Sequence, residues 1–347
     1  MKKILLVTEY LNPPFDEGIK KTAYNLLNEL ENRFDVYVIC RQGYKKENIE
    51  IVKTNRLFLS IIIKKIIYNF KPDLLIYFPF ASSTFASYLR LIVLKLFSKN
   101  AKSVFIALQP KPLNQLQKYI VKLLKPVFAL TPSPELKSFW DHYKIKNELL
   151  PLLTDLSIFK PLQNSVAKKL LREKYNLPVD SYIISHMGHL NKGRNLRSLI
   201  PLQQAGNQVV IVVSSSTPKD AIGPSTLKFE LKEHGIIIVD EYIEAIAEIY
   251  QLSDLYIFPV LAKNSSIGLP LSVLEARACG IPVLTTDYGS IKHFLGSDQN
   301  SIFYSFSDNF TEAVNGIKKN ADADFTNTRI TELNEQFYNI IYNVIGS

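Results

Sequence analysis

The sequence contains very little cysteine, methionine or tryptophan, with two, two and one residues of these types among 347. Two cysteines, Cys40 and Cys279, cannot form the disulfide framework of a small secreted protein, and their spacing is not that of a zinc or redox motif. We therefore expect both to be reduced thiols, as is usual in a cytoplasmic protein.

Long hydrophobic runs are also missing. A transmembrane helix needs about 18 or more consecutive apolar residues, whereas Leu57–Ile63, one of the longer runs, has only seven and includes Ser60. The first nine residues contain an apolar core of only four before Glu9, which is too short for a signal peptide and predicts a buried strand instead. We expect a cytoplasmic protein.

The remaining composition is that of a globular protein, with 47% hydrophobic and 21% charged residues. This excludes disordered, collagen-like and coiled-coil chains, and the length suggests two domains, with three as the alternative. The charge is uneven. Residues 1–150 contain 24 basic and 12 acidic side chains, and residues 151–347 contain 17 basic and 20 acidic ones. The first half is expected to face nucleic acid, an anionic membrane or an acidic acceptor.

Short apolar runs alternate with helical patterns along the whole chain, which predicts parallel sheets covered on both faces. The fold class is therefore α/β with two Rossmann-like domains, at residues 1–160 and 161–327, and a closing helix at about 328–347 that packs back toward the first domain. The predicted strands are Ile4–Val7, Val36–Ile39, Leu74–Phe78, Val104–Leu108, Val127–Leu130, Tyr182–Ser185, Val209–Val213, Ile236–Val239, Leu255–Phe258 and Val283–Thr285.

The most informative motif spans Ile267–Val283, with the sequence IGLPLSVLEARACGIPV. A loop of small polar residues precedes it, and Gly268 lets the backbone come close to a ligand at a helix start. Free N–H groups at such a start favour an anion. The pattern thus predicts an anion-binding helix start, with Glu275 one to two turns further along the helix.

This motif resembles the donor-binding motif of GT-B glycosyltransferases of the retaining GT4 type (glycosyl transferases group 1), in which two glutamates are separated by seven residues. Further segments fit the family in order and spacing, so that the resemblance covers nearly the whole chain: Pro151–Pro161, Leu171–Pro178, Gly188–Gly193 and Asp287–Gly289. The resemblance implies two domains facing each other across a cleft. It also implies transfer of a sugar from a nucleotide-diphospho-sugar with retention of configuration and without a metal.

The resemblance implies roles for matching residues. Glu275 would bind the ribose hydroxyls, and Lys192 would bind the donor diphosphate. His189 stands in place of the usual arginine, so it would bind the diphosphate more weakly or in a pH-dependent way. Ile267 replaces the first glutamate, so that either Ser265 and Ser266 substitute for it, or the donor is unusual, or activity is impaired. The implied donor-binding set is Gly188, Lys192, Ser265, Ser266, Ile267, Gly268, Leu269 and Glu275, and the catalytic set is Lys192, His189 and Gln109.

In the first domain, Gln109 stands where the family often has a histidine, and the resemblance implies that the leaving phosphate takes the acceptor proton instead. The loop before the first helix, Asn12–Gly18, resembles a glycine-rich family loop, with Glu17 in place of one glycine. Gly18 at the helix start is a candidate for phosphate or acceptor contact.

The lysines of the first domain are organised on predicted helices. Lys118, Lys122 and Lys125 are predicted to share one face of a helix, with Leu113, Leu116, Ile120, Leu123 and Leu124 on the other. They indicate either a solvated face over a core or peripheral attachment to the inner face of an anionic cell membrane, where a lipid-linked or acidic acceptor would be found. We expect no nucleic-acid partner, since no RRM or helix-turn-helix pattern is present.

The sequence therefore predicts a glycosyltransferase of polysaccharide or glycoconjugate biosynthesis with no cofactor, whose co-substrate is a UDP- or GDP-linked sugar. Three alternatives stay open: a sugar-nucleotide epimerase, a non-catalytic nucleotide-sugar-binding partner subunit, and a basic membrane or nucleic-acid adaptor.

Overall fold

A computed structural model describes residues 1–124, 128–215, 217, 222–262, 265–296, 302–304, 310–319 and 328–346. The chain divides into two compact units, unit 1 (Met1–Leu153 with Asn334–Ser347) and unit 2 (Thr154–Leu333). The division precedes the predicted boundary at residue 160 because the connecting segment packs on unit 2. Phe159 is buried beside the Tyr250 ring, and the Lys160 carbonyl accepts a hydrogen bond from Gln251.

Unit 1 is built on a parallel sheet of seven strands, which runs in the order β5-β3-β1-β6-β7-β8-β9, with β2 and β4 pairing separately. Its elements are β1 Lys3–Val7, β2 Tyr10–Leu11, α1 Gly18–Glu31, β3 Asp35–Cys40, β4 Gln42–Gly43, β5 Ile49–Ile51, α2 Ile61–Phe70, β6 Leu74–Tyr77, α3 Phe85–Phe97, β7 Lys102–Ile106, α4 Gln115–Leu124, β8 Phe128–Thr131, α5 Pro134–His142 and β9 Asn147–Leu149.

One face of this sheet is covered by helices α2 to α5, which share a single hydrophobic core. Residues from all four helices contribute to it, among them Ile63, Leu91, Val121 and Trp140. The predicted polarity of α4 is wrong, because Leu116 and Leu123 are 68% and 64% exposed on the same side as the exposed Lys122. Lys118 is instead half-buried, and Lys125 lies outside the described residues.

Unit 2 is built on a parallel sheet of six strands in the order β12-β11-β10-β13-β14-β15. Its elements are α6 Ser165–Lys174, β10 Ile183–Gly188, α7 Ile200–Gln204, β11 Gln208–Val213, α8 Ile222–Glu233, β12 Ile237–Val239, α9 Ile246–Leu252, β13 Leu255–Phe258, α10 Leu271–Ala278, β14 Val283–Thr285, α11 Ile291–Leu295, β15 Ile302–Tyr304 and α12 Phe310–Lys319. Short 3-10 turns at Lys192–Arg194 and Leu196–Leu199 follow β10.

The final helix, α13 (Thr328–Gly346), contributes its residues from Asn334 onward to unit 1. Glu335 pairs with Arg33 at 2.9 Å, and the Arg33 guanidinium lies 3.6 Å from the centre of the Tyr338 ring. These contacts fix the helix against the end of α1. Within the described ranges, no helix combines the length and hydropathy that a membrane span requires.

Candidate functional site

The carboxyl ends of β10, β11 and β13 lie next to one another, at the edge of the second sheet where parallel sheets bind ligands. A turn runs from Gly188, the last residue of β10, to Lys192. The Asn191 side chain caps this turn by accepting a hydrogen bond from the Arg194 amide at 3.2 Å. Because Lys192 itself is exposed, its ammonium group is free to meet a ligand at this edge.

The absence of a side chain at Gly193 brings this turn against the loop that follows β13. A Cβ at Gly193 would lie 1.9 Å from Ser265 Oγ and 3.3 Å from the Ala262 Cβ. Only glycine allows the two segments to approach this closely without displacing the serine. The structure thereby brings together Lys192 and Ser265, which the sequence separates by more than seventy residues.

Tyr288 holds in place the loop that follows β13, whose residues Ser265–Gly268 we call the polar loop. Its hydroxyl donates a hydrogen bond to the Ser266 carbonyl at 2.8 Å and accepts one from the Ser266 amide at 2.9 Å. Tyr288 is buried, and the resulting desolvation raises the pKa of its hydroxyl. Ser266 is therefore fixed through its backbone, and its side chain is half-buried.

The next residues hold Gly268 in the same way. The Ser290 amide donates to the Gly268 carbonyl at 2.8 Å, and Gly289 packs so closely that a Cβ there would lie 2.0 Å from the same oxygen. Gly289 also has a φ of +57°, in the left-handed region that favours glycine. The segment from Tyr288 to Ser290 thus braces the loop before α10 at two points.

Helix α10 begins at Leu271, three residues later than the Gly268 start that the motif predicted. Pro270 precedes it and, among the described residues, no side chain caps its first turn. The first N–H groups of a helix without a cap can bind a ligand. The side chains of Ile267 and Leu269 are both buried, so these two residues can offer a ligand only their backbone groups.

Glu275 lies on α10 and is only 2% exposed. Its Oε2 accepts a hydrogen bond from the hydroxyl of Tyr250, on α9, at 2.8 Å. Burial and the neighbouring carboxylate both raise the pKa of Tyr250 well above its usual value, so the phenol stays protonated and donates. The carboxylate is therefore held in one orientation by a residue that the motif did not identify.

His189 lies in the turn after β10, four residues before Gly193. Its Nδ1 is 3.1 Å from the hydroxyl of Thr217, which is buried. The ring is thus positioned by a side chain that follows β11, at the same edge of the sheet as Lys192.

In unit 1, Gln109 lies just beyond the carboxyl end of β7. Its carbonyl accepts hydrogen bonds from the hydroxyls of Ser82 and Ser83, at 2.7 and 2.8 Å, and its amide donates to Ser82 Oγ. Its side-chain oxygen accepts from Lys111 Nζ at 3.4 Å. The Gln109 backbone is thus held at the sheet edge where parallel sheets generally bind ligands. Its side chain carries a carboxamide, which is not a base.

Glu17 is the N-cap of α1. Its Oε2 accepts hydrogen bonds from the amides of Ile19 and Lys20, at 3.0 and 2.9 Å. These are the N–H groups with which the start of the helix, at Gly18, would bind a phosphate. A phosphate there would have to displace the carboxylate of Glu17. Across the residues that the structure describes, no group of three His, Cys, Asp or Glu side chains is placed to hold a metal ion.

Comparison with known proteins identifies the domain to which this site belongs. Residues 167–337 match the family model described as "Glycosyl transferases group 1". The chain carries a group 1 glycosyl transferase domain. The match covers most of unit 2, including the Lys192 turn, the polar loop and α10.

Two curated relatives align with part of the chain. One is the D-inositol 3-phosphate glycosyltransferase of Xylanimonas cellulosilytica, 28% identical over 162 residues. The other is TuaC of Bacillus subtilis, named as a glycosyltransferase of teichuronic acid biosynthesis, 25% identical over 155 residues. Each alignment covers 44% of this chain, and they span 38% and 36% of the two relatives.

The fold of the whole chain is GT-B. Sucrose-phosphate synthase from Thermosynechococcus elongatus superposes with a TM-score of 0.72 and 14% identity, covering 100% of both chains. HepE from Anabaena, solved with UDP-glucose, superposes with a TM-score of 0.70 and 13% identity, covering 99% of this chain and 100% of its own. The α/β architecture with two Rossmann-like domains is thereby confirmed.

Three residues of the group 1 domain that shape the site were missed by the sequence analysis: Tyr250, Tyr288 and Arg194. Tyr288 belongs to a segment that resembles the family, but nothing in the sequence connects it to Ser266. Nothing in the sequence distinguishes Tyr250 from the other residues of an ordinary helical pattern. Arg194 follows the Lys-Gly pair directly, and its basic character beside a glycine turn was the one available signal.

Proposed function

We propose that this protein transfers a sugar from a nucleotide-diphospho-sugar to an acceptor, with retention of anomeric configuration and without a metal ion. The observation that supports this best is the assembly of Lys192, the braced Ser265–Gly268 loop and the uncapped start of α10 at one sheet edge of a group 1 domain. Each of these features suits a diphosphate, since each offers positive charge or N–H donors.

In the proposed reaction, the bond between the anomeric carbon and the diphosphate oxygen breaks as a bond to an acceptor oxygen forms. The acceptor proton passes to the leaving phosphate, so that Gln109 need not act as a base. Lys192 and the N–H groups before α10 stabilise the negative charge that develops on the leaving group. Glu275, oriented by Tyr250, would accept hydrogen bonds from the ribose hydroxyls.

A donor screen tests this proposal. We expect one of the UDP-, GDP-, ADP- and dTDP-linked sugars to raise the melting temperature of the protein, with UDP- or GDP-linked sugars first. The anomeric proton coupling of the glycoside product, measured by NMR, should match that of the donor. Inverted configuration would exclude the retaining mechanism, and binding without any turnover would indicate a non-catalytic nucleotide-sugar-binding subunit.

We also propose that unit 1 binds an anionic membrane surface, where a lipid-linked or acidic acceptor would be reached. Helix α4 exposes Leu116, Tyr119 and Leu123 beside Lys122, and α2 exposes an isoleucine pair beside two lysines. Exposed apolar side chains surrounded by lysines suit the interface of an anionic bilayer, into which the apolar groups insert while the ammonium groups meet the headgroups.

A further inference from the structure

Among the described residues, Arg194 is a buried cation without a carboxylate partner. It is 7% exposed. In the part of the chain that the structure describes, no Asp or Glu pairs with it, and its guanidinium donates no hydrogen bond. Burial accordingly lowers its pKa from the usual value. Arg90 and Arg172 differ from it, since each pairs with a carboxylate, at 2.5 and 2.7 Å.

The guanidinium lies at the carboxyl edge of the second sheet. A Cβ at Gly188 would lie 2.9 Å from Nη1 of Arg194 and 3.4 Å from Nε2 of His186, so all three meet at the end of β10. The centre of the Phe258 ring, at the end of β13, is 5.8 Å from the guanidinium carbon. Phe258 in turn packs edge-to-face against Tyr288, which holds Ser266.

Among the groups that the structure describes around Arg194, none neutralises its charge. His186 Nδ1 lies 2.9 Å from the Ile257 carbonyl, so this nitrogen carries the proton and donates it. Burial and the nearby Arg194 lower the pKa of His186 to about 3, and the ring is neutral. A cation–π contact with Phe258 near the outer limit of about 6 Å offsets only a small part of the cost of burying an unpaired charge.

We propose that Arg194 binds the diphosphate of the donor from beneath the Lys192 turn, as the second positive charge of that subsite. The proposal rests on the function proposed above. A diphosphate in a nucleotide sugar carries two negative charges, whereas Lys192 supplies one positive charge. Because residues 151–347 have more acidic than basic side chains, the second charge must be local, and Arg194 is directly adjacent to the Lys192–Gly193 turn.

The test compares wild type with Arg194→Met, using inorganic pyrophosphate, UDP, GDP and the corresponding nucleosides as probes in calorimetry. We expect the variant to bind pyrophosphate and the diphosphates at least about tenfold more weakly, because charge-assisted hydrogen bonds are lost, and to bind nucleosides as before. Its melting temperature without ligand should be unchanged or higher, since an apolar side chain replaces an unpaired buried charge. Arg197→Met, which alters an exposed surface pair with Glu230, is the matched control.

Diphosphate affinity within twofold of wild type in Arg194→Met would overturn the proposal and leave Arg194 a structural residue. Should that variant not fold, Arg194→Gln carries the test, because glutamine keeps a polar side chain with N–H donors but removes the positive charge. A several-fold loss of diphosphate affinity supports the proposal, and unchanged affinity overturns it. The proposed function fails separately if no nucleoside diphosphate binds wild type more tightly than pyrophosphate does, since the base then contributes nothing.

Discussion

At the scale of single residues, the motif predicts candidate donor-binding side chains but does not predict which residues hold them in place. Lys192, Ser265 and Glu275 can be identified from the sequence because the segments that contain them resemble the family in residue order and spacing. Their supports, Tyr250 and Tyr288, come from other elements, and each makes its contact through one hydroxyl. A tyrosine in an apolar helix or after a strand has the same sequence signature whether or not it makes such a contact.

His186 gives a prediction on pH at this scale. Its pKa is lowered to about 3 by burial and by Arg194, against 6.5 for an ordinary histidine. Below pH 6.5 the unfolded chain takes up a proton that the folded protein refuses, so stability falls as the pH drops from about 6.5 toward 3. This single group should contribute a slope of up to about 1.4 kcal/mol per pH unit.

The measurement is urea unfolding at several pH values for wild type and His186→Asn. Asparagine can still donate to the Ile257 carbonyl but does not titrate. The difference between the two curves isolates His186, because every carboxylate is common to both proteins. Equal slopes for the two proteins between pH 4 and pH 6.5 would show that the histidine is protonated in the folded state.

At the scale of elements, the sequence predicted the strands that are buried on both sides. All ten predicted strands are present, because central strands of parallel sheets need continuous apolar runs. The strands β2, β4, β5, β9 and β15 were missed, since each has only two or three residues. The edge strands β5 and β9 also contain charged residues, whereas β12, an edge strand that was predicted, is wholly apolar. The polarity of α4 was predicted wrongly because periodicity identifies an apolar stripe but not the direction that it faces.

Substitution of Gly289 tests whether the segment from Tyr288 to Ser290 holds the loop before α10 in place. In Gly289→Ala the new methyl group would collide with the Gly268 carbonyl, so the polar loop must shift. We expect donor affinity to fall by about tenfold or more, because a displacement of about 1 Å can cost more than this. The readout is the dissociation constant of the preferred donor.

Gly206→Ala is the matched control for that variant. Gly206 also has a positive φ, +82°, but a Cβ there would meet nothing within 4 Å. Both variants suffer backbone strain, and only Gly289→Ala adds the collision. If the two variants lose donor affinity equally, backbone strain alone explains the loss, and the contact of Gly289 with the Gly268 carbonyl has no role in donor binding.

At the scale of the whole molecule, the charge is distributed unevenly between the two halves of the chain. The features proposed to bind the diphosphate lie in unit 2, although its part of the chain has a net negative charge. The excess of basic residues lies in residues 1–150. Binding of a nucleotide by unit 2, as proposed, does not explain this excess. The exposed leucines of α4 favour the proposed bilayer over other anionic partners, because a bilayer accepts apolar groups and a polyanion in solution does not.

Vesicle sedimentation tests this partner. The protein should bind vesicles that contain phosphatidylglycerol, bind phosphatidylcholine vesicles weakly, and lose binding as salt rises. The double variant Leu116→Ser/Leu123→Ser should bind about tenfold or more weakly, as burial of a leucine side chain contributes about 1.5–3 kcal/mol. Leu170→Ser, a leucine 60% exposed on α6 of unit 2, is the control and should bind as wild type; equal binding by all three proteins would refute the role of α4.

The central claim is that this protein transfers a sugar and that Lys192 stabilises the leaving diphosphate. Its most direct test is release of nucleoside diphosphate from the donor that the screen selects, measured for wild type, Lys192→Ala and the exposed-lysine control Lys232→Ala. We predict that wild type and Lys232→Ala release it at equal rates and that Lys192→Ala has a kcat/KM lower by tens of fold, since a charge-assisted bond contributes about 1.5–3 kcal/mol. Equal rates in all three proteins would contradict the role of Lys192, and no release from any donor by wild type would contradict the claim of sugar transfer.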